Sequence, residues 1–342
     1  MVKFIIPFIT AFIITVVAIF VLNFFAGKIR WIHRKSKRHI HQQNVFRLGG
    51  VAMIVAFVVA IFLNKDLFIN ASLYGVLIAL AIILIVGVWD DMREIFWKTQ
   101  FFYQVAVAII IFIFGVRIYH ITNPLNGGII DLSSGFAIIF SIALVIFWVV
   151  LMINSMNWLD GIDGLSGGIT FIGASTIFFL SLYPEVNQPP VAILAMILAG
   201  ATLGFLIFNF YPSMILAGTS GSMFMGFTLA VLAIFAGTKI ATSILIMALP
   251  IIDFVWVIGE RFRKRKSIFK PDKNHLHHKL MEIGWSQRKI ALHYYIITAF
   301  IAVIALNTRM IGKSLTLVAT IAIVVITLIF INKKLSANKL LD

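Results

Sequence analysis

The stretch Asn154-Ser155-Met156-Asn157-Trp158-Leu159-Asp160-Gly161-Ile162-Asp163-Gly164 carries the densest chemistry in the chain. Asn154, Asn157, Asp160 and Asp163 recur every three residues, a spacing that sets side chains along one slowly turning helix face. All four offer oxygen donors, the ligand type that hard cations take. Gly161 and Gly164 permit an unusual turn, or close approach of a ligand to backbone N–H groups. The alternative is a glycine-rich connection between two helices. A second acidic place is Asp90-Asp91, whose adjacent carboxylates repel unless a cation lies near them. It reads either as a solvated helix end or as a metal or proton-accepting site. Lys98 would return a cation to that spot if the chain reverses after Asp91.

Two more segments carry donors. Gly218-Thr219-Ser220-Gly221-Ser222 precedes an apolar run, so its hydroxyls and N–H groups suit either a phosphate at a helix N-terminus or a plain helix cap. His275-Leu276-His277-His278 holds three of only 8 histidines. A metal site, a phosphate or substrate cradle and a pH-tuned loop compete there. The spacing does not suit zinc, and Lys270, Lys273 and Lys279 around the cluster favour an anion as guest. With no cysteine, a thiolate metal site, an iron–sulfur cluster and a cysteine nucleophile are excluded.

The elements that must position these residues are membrane helices. Of the 342 residues 61% are apolar and 12% charged, against about 45–50% and about 25% in soluble domains. The first apolar run, Phe4–Ala26, has a signal-anchor pattern; ten more lie near 48–63, 71–89, 98–116, 136–152, 165–183, 190–208, 222–238, 240–259, 290–307 and 314–331. They are too long and too uniformly apolar for barrel strands. The expectation is an all-α, polytopic membrane protein of about eleven transmembrane helices, built as a single multi-span domain over 1–342. Most of the 28 Lys and Arg fall on one side if the N-terminus is outside and the C-terminus cytoplasmic. That side then holds a basic loop at 27–47 and a loop at 260–289 with the histidines. The net charge of +15 reads as topology signal and attraction to anionic membrane lipid rather than as nucleic-acid binding. Asp90, Asp91, Asp160 and Asp163 share the same water edge, which points to a site at the cytoplasmic face rather than an ion path through the bilayer centre.

Taken together, these segments resemble the polyprenyl-phosphate N-acetylhexosamine-1-phosphate transferases, with the peptidoglycan phospho-MurNAc-pentapeptide translocase as a more distant relative. The matching pieces are Arg38-His39-Ile40-His41 followed by Arg47-Leu48-Gly49-Gly50, Asp90-Asp91 with Lys98 and Gln104, Asn154 to Leu165, Asn209 to Phe227, and Pro250 with Asp253 leading into Asp272 to His278. The resemblance implies attack of a polyprenyl phosphate, in bacteria usually undecaprenyl phosphate, on the β-phosphorus of a UDP-N-acetylhexosamine. UMP leaves, Mg2+ or Mn2+ is required, and the setting is the bacterial inner membrane. Asp90 and Asp91 would then lie at the lipid phosphate as catalytic groups, with Asp163, and Lys98 would hold a phosphate. Asn157, Asp160 and Asp163 would line the metal and nucleotide site, with Asn154 and Thr219 also among the substrate contacts. His275, His277 and His278 would contact the diphosphate or sugar. Arg38, His41 and Arg47 would lie near the lipid headgroup, and a homodimer is plausible on the resemblance alone. One departure matters. The family usually carries Gly-Asp-x-Gly-Ser where this chain has Gly218-Thr219-Ser220-Gly221-Ser222, and Met214 stands in place of a lysine. A neutral hydroxyl is a much poorer Mg2+ ligand than a carboxylate. The alternatives are a catalytically impaired homologue that binds lipid phosphate or sugar nucleotide, and a secondary transporter.

Overall fold

Long uncharged apolar runs can satisfy their backbone groups in lipid only as helices or closed barrels, and here they are helices. The computed structural model describes residues 1–26, 45–122, 128–237, 240–265, 274–308 and 310–338. Among them the helices are α1 (Val2–Ala26), α2 (Gly49–Leu63), α3 (Ala71–Met92), α4 (Trp97–Ile113), α5 (Ala137–Leu159), α6 (Leu165–Ser181), α7 (Pro189–Asn209), α8 (Gly218–Phe235), α9 (Ile240–Ile246), α10 (Ala248–Arg263), α11 (Leu276–Glu282), α12 (Gln287–Asn307) and α13 (Met310–Asn338). Two short antiparallel strands, β1 (His120–Thr122) and β2 (Ile129–Asp131), form a hairpin beyond the far end of α4, with His120 opposite Asp131.

Among the described residues α1, α3, α5, α7, α8, α12 and α13 are long and apolar enough to cross a membrane, while α2, α4 and α6 are shorter apolar helices. The protein is a multi-pass membrane protein. The expected span over 240–259 is divided: α9 stops at Ile246 and α10 starts at Ala248. Pro250 accounts for the break, because it has no N–H to offer the carbonyl of Ile246 and is tolerated in a first helical turn. The second half also carries Asp253, Glu260, Arg261 and Arg263, so it is not a uniformly apolar segment.

The bundle is built around α8, 83% buried along its apolar window against 22% for α1 and α13. It packs on α2, α3, α5 and α6, and α1 lies against α7. The start of α8 is gripped closely. A Cβ on Gly50 would lie 2.1 Å from the Gly221 nitrogen, and one on Gly87 would lie 2.3 Å from the Ser220 Cα. Only glycine lets α2 and α3 approach that near. Since the helices alternate in direction, the last turns of α3 and α5 and the first turns of α4, α6, α8 and α12 meet at one end of the bundle, opposite the hairpin.

Candidate functional site

The first turn of an α-helix has N–H groups with no partner inside the helix, and Ala217, preceding α8, has no side chain to cap them. Asp91 does this from α3. Its Oδ1 accepts the Thr219 N–H at 2.8 Å, and its Oδ2 accepts the Ser220 N–H at 3.2 Å and the Ser220 hydroxyl at 3.1 Å. A carboxylate there also meets the positive end of the helix dipole. Asp90 is held as firmly: Oδ2 accepts the Thr219 hydroxyl at 2.6 Å, and Oδ1 accepts the Ile95 N–H and the Gln100 amide, each at 2.8 Å. Thr219 therefore ties both carboxylates. The chain ahead of α2 pairs with the chain ahead of α8, through Phe46 and Ile215 and through Gly49 and Gly50 N–H groups donating to Leu216 and Ala217. That pairing brings the Arg47 guanidinium to 3.9 Å from Asp91 Oδ1.

The four residues at three-residue spacing each address a different neighbour. Asn154 donates to Gln104 on α4 at 2.6 Å. Asn157 Oδ1 accepts the Ser222 hydroxyl on α8 at 2.8 Å. Asp160 accepts the Ser166 hydroxyl at the start of α6. Asp163 Oδ2 accepts the Ser213 N–H at 3.0 Å from the α7–α8 connection, and its own N–H reaches Gln287 Oε1 of α12 at 3.2 Å. The track ends in a turn in which Gly164 donates to Asn209 at 2.9 Å.

The histidine segment lies against the same turn. His275 Nδ1 is 2.9 Å from Asp253 Oδ2, and the Leu276 N–H donates to Asp253 Oδ1 at 2.8 Å, which starts α11. His275 packs edge-on to Trp158 and stacks with His277, which in turn touches His278. A Cβ on Gly161 would lie 2.9 Å from His277 Nε2 and 3.4 Å from His278 Nε2, so the absence of a side chain there admits the histidines. Among the described residues neither ring nitrogen of the fully buried His277 has a hydrogen-bond partner. Burial, with His278 and His275 beside it, holds that imidazole well below its ordinary value and therefore neutral.

The carboxylates crowd one another. Asp160 keeps some solvent access, but the protein packed around its carboxyl pushes it up to about 7. The Ser166 hydroxyl and Arg47 oppose that rise, and the charges of Asp91 and Asp163 add to it. Among the described residues no three acidic or imidazole groups converge as a closed metal set. Carboxylates that disfavour one another's charge, with the Asn157 amide oxygen nearby, still suit a hydrated hard cation, which needs only one or two carboxylates from the protein.

The profile of the family described as Glycosyl transferase family 4 matches residues 73–237, which contain both aspartate pairs and the start of α8. The decaprenyl-phosphate N-acetylglucosaminephosphotransferase of Mycobacterium tuberculosis is 32% identical over 324 residues, covering 86% of this chain and 79% of that protein. The chain belongs to glycosyl transferase family 4. Two other relatives match over 96% and 84% of the chain. A probable undecaprenyl-phosphate N-acetylglucosaminyl 1-phosphate transferase of Bacillus subtilis (strain 168) is 29% identical over 336 residues, 96% of this chain and 90% of the relative. A phospho-N-acetylmuramoyl-pentapeptide-transferase of Listeria welshimeri is 29% identical over 315 residues, 84% of this chain and 92% of the relative.

Within this family member, the expected site residues Asp90, Asp91, Asn157, Asp160, Asp163, Thr219, His275, His277, His278 and Arg47 come to one end of the bundle. Asn154 stands a turn further in, against Gln104. Lys98 is exposed with its ammonium 5.7 Å from the Trp97 ring centre, and Gln100 is the side chain of α4 that reaches Asp90. Arg38, His41 and Asp272 lie outside the described residues. Sequence reasoning missed Gln100, Ser166, Ser213 and Gln287. Gln100 follows from the helical start at Trp97, which puts it in the first turn beside Asp90. Gln287 has no local signal, because it meets Asp163 across 124 residues of chain.

Proposed function

We propose that this protein transfers HexNAc-1-phosphate from a UDP-N-acetylhexosamine, with UDP-GlcNAc as the default, to undecaprenyl phosphate. The observation that carries the reading is the convergence of Arg47, Asp90, Asp91, the Asn157–Asp163 track and the His275–His278 segment at one end of a membrane bundle, in a member of glycosyl transferase family 4. The phosphate oxygen of the lipid attacks the β-phosphorus; the bond from that phosphorus to the bridging oxygen breaks, and UMP departs with the electron pair. A phosphate monoester with a second pKa of about 6 is largely dianionic at neutral pH and needs little help from a base. A single displacement then needs no covalent enzyme intermediate, and the protein contributes mainly positioning and charge compensation. Arg47 supplies positive charge, and the buried aspartates and α8 hold the phosphate-facing surfaces in place. Asp160, Asp163 and Asn157 would hold Mg2+ or Mn2+, which supplies neutralisation of the diphosphate and leaving UMP. The site would face the cytoplasm at the bacterial inner membrane. An open groove of about 390 Å³ on the outward face of α12, lined by Arg288, Lys289 and His293 with Leu292 and Ile296, suits anionic lipid around the protein.

The test is UMP release by purified protein with undecaprenyl phosphate and UDP-GlcNAc in Mg2+, Mn2+ or EDTA. UMP that requires both the lipid and the metal is the expected result; silence across a panel of UDP-hexosamines overturns the reading. Asp163→Asn should keep the fold, since an amide oxygen can still accept the Ser213 N–H, yet lower turnover by about a hundredfold. Near-normal turnover in that variant removes Asp163 from the metal assignment.

A further inference from the structure

Asp253 is 3% exposed and His275 5%, and neither residue type is often found so deep without a partner. Each satisfies the other. Asp253 spends one carboxylate oxygen on His275 Nδ1 and the other on the Leu276 N–H that opens α11. The neighbouring residues of α10 make the same connection: Phe254 packs on Trp158 with ring centres 4.5 Å apart, and the Arg261 guanidinium stands 5.2 Å from the Trp158 ring centre. Trp158 in turn contacts His275. Glu260 of α10 pairs with Lys279 of α11 at 3.6 Å. The histidine helix is thus fastened to α10 and leans on the Trp158–Asp163 turn, with His277 and His278 against Gly161.

A carboxylate can only accept hydrogen bonds, so the proton between Asp253 and His275 sits on Nδ1. Nε2 is then the ring's acceptor in the neutral imidazole. We propose that Asp253 is a positioning residue for the transfer reaction: it docks the histidine helix beside the Asp160–Asp163 turn and fixes His275 in the Nδ1–H tautomer. Nε2 is thereby left as the nitrogen that faces the substrate, an acceptor for a hydroxyl or amide N–H of the sugar when the imidazole is neutral. The inference rests on the transferase reading and goes beyond it by assigning the tautomer and the group that sets it.

Asp253→Asn separates docking from tautomer. Its amide oxygen can still accept the Leu276 N–H, so α11 keeps its start. Its amide nitrogen can only donate, so His275 must accept at Nδ1 and carry its proton on Nε2. The expected result is an unchanged melting temperature, a His275 signal moved to the Nε2–H tautomer in spectra of protein labelled with 15N-histidine, and a kcat for UMP release lower by about tenfold to a hundredfold. In a His275→Ala background the same substitution should have no further effect. Asp253→Ala, which loses both contacts, should in addition raise KM for UDP-GlcNAc. An unchanged His275 tautomer in Asp253→Asn, or a further loss of turnover of about tenfold or more when Asp253→Asn is added to His275→Ala, overturns the proposal and leaves the transferase reading standing. Absence of UMP release from the unaltered protein with every UDP-hexosamine overturns the reading itself, and the positioning role with it.

Discussion

Thr219 is the residue at which this chain departs from the aspartate its resemblance leads one to expect, and its surroundings say what the departure does. Its hydroxyl donates to Asp90 while its N–H donates to Asp91, so Thr219 meets both carboxylates with neutral donors, beside the Arg47 cation. An aspartate there would face the Asp90 carboxylate with no proton to share, an arrangement that calls for a cation. Thr219→Asp should therefore make thermal stability more strongly dependent on Mg2+ than that of the unaltered protein; equal responses of the two proteins count against this account. A gain of turnover in the same variant would show that the native site is impaired. Asp160 gives a second residue-scale prediction. Its carboxyl lies at about 7 in the folded protein against an ordinary 3.8, so folding favours its protonated form. That stabilisation is full below pH about 4 and is lost as pH rises through about 7. In EDTA, the melting temperature of the unaltered protein should fall across this window relative to Asp160→Asn, and Mg2+ should narrow the gap at pH 7.5. Parallel curves for the two proteins would show that the carboxyl is not perturbed.

The elements that place these residues were read from sequence with uneven success, for identifiable reasons. Charge-free apolar runs made α1, α3, α5 and α7 visible, because nothing else satisfies so much backbone without polar partners. Their ends were less visible. The run near 71–89 stops short of the α3 terminus at Met92, and the run near 222–238 starts after the α8 terminus at Gly218. In both places the polar residues that end the apolar pattern, Asp90, Asp91, Thr219 and Ser220, continue the helix because they satisfy one another across α3 and α8. Glycine makes that contact possible. Gly87→Ala should force α3 and α8 apart, since its Cβ would meet backbone atoms that cannot yield. Overpacking of this kind costs about 1–3 kcal/mol. A lower melting temperature together with reduced turnover is expected, because the aspartates move with α3. Gly259→Ala, which has open space around it, serves as the neutral comparison. If Gly87→Ala behaves like Gly259→Ala, the close approach does not govern the site.

At the scale of the whole molecule, the motifs were legible and their mutual distances were not. The spacing of Asn154, Asn157, Asp160 and Asp163 announced a shared face, but their partners Gln104, Ser222, Ser166 and Ser213 come from four other places in the chain, which no local pattern reveals. Alternating helix direction is what gathers them, and it also fixes which end of the bundle each loop occupies. Arg288 at the start of α12 stands at the end that holds the aspartates, whereas Ser134, beyond the hairpin, stands at the other; both are exposed. The excess of Lys and Arg near the aspartate end predicts that this end is cytoplasmic. Because the chain has no cysteine, single cysteines can be introduced against a blank background. In intact cells, a membrane-impermeant maleimide should label Ser134→Cys and spare Arg288→Cys, and opening the cells should expose the second. The reverse pattern would put the aspartates outside, where no cytoplasmic UDP-sugar could reach them, and would remove the transferase reading along with the topology.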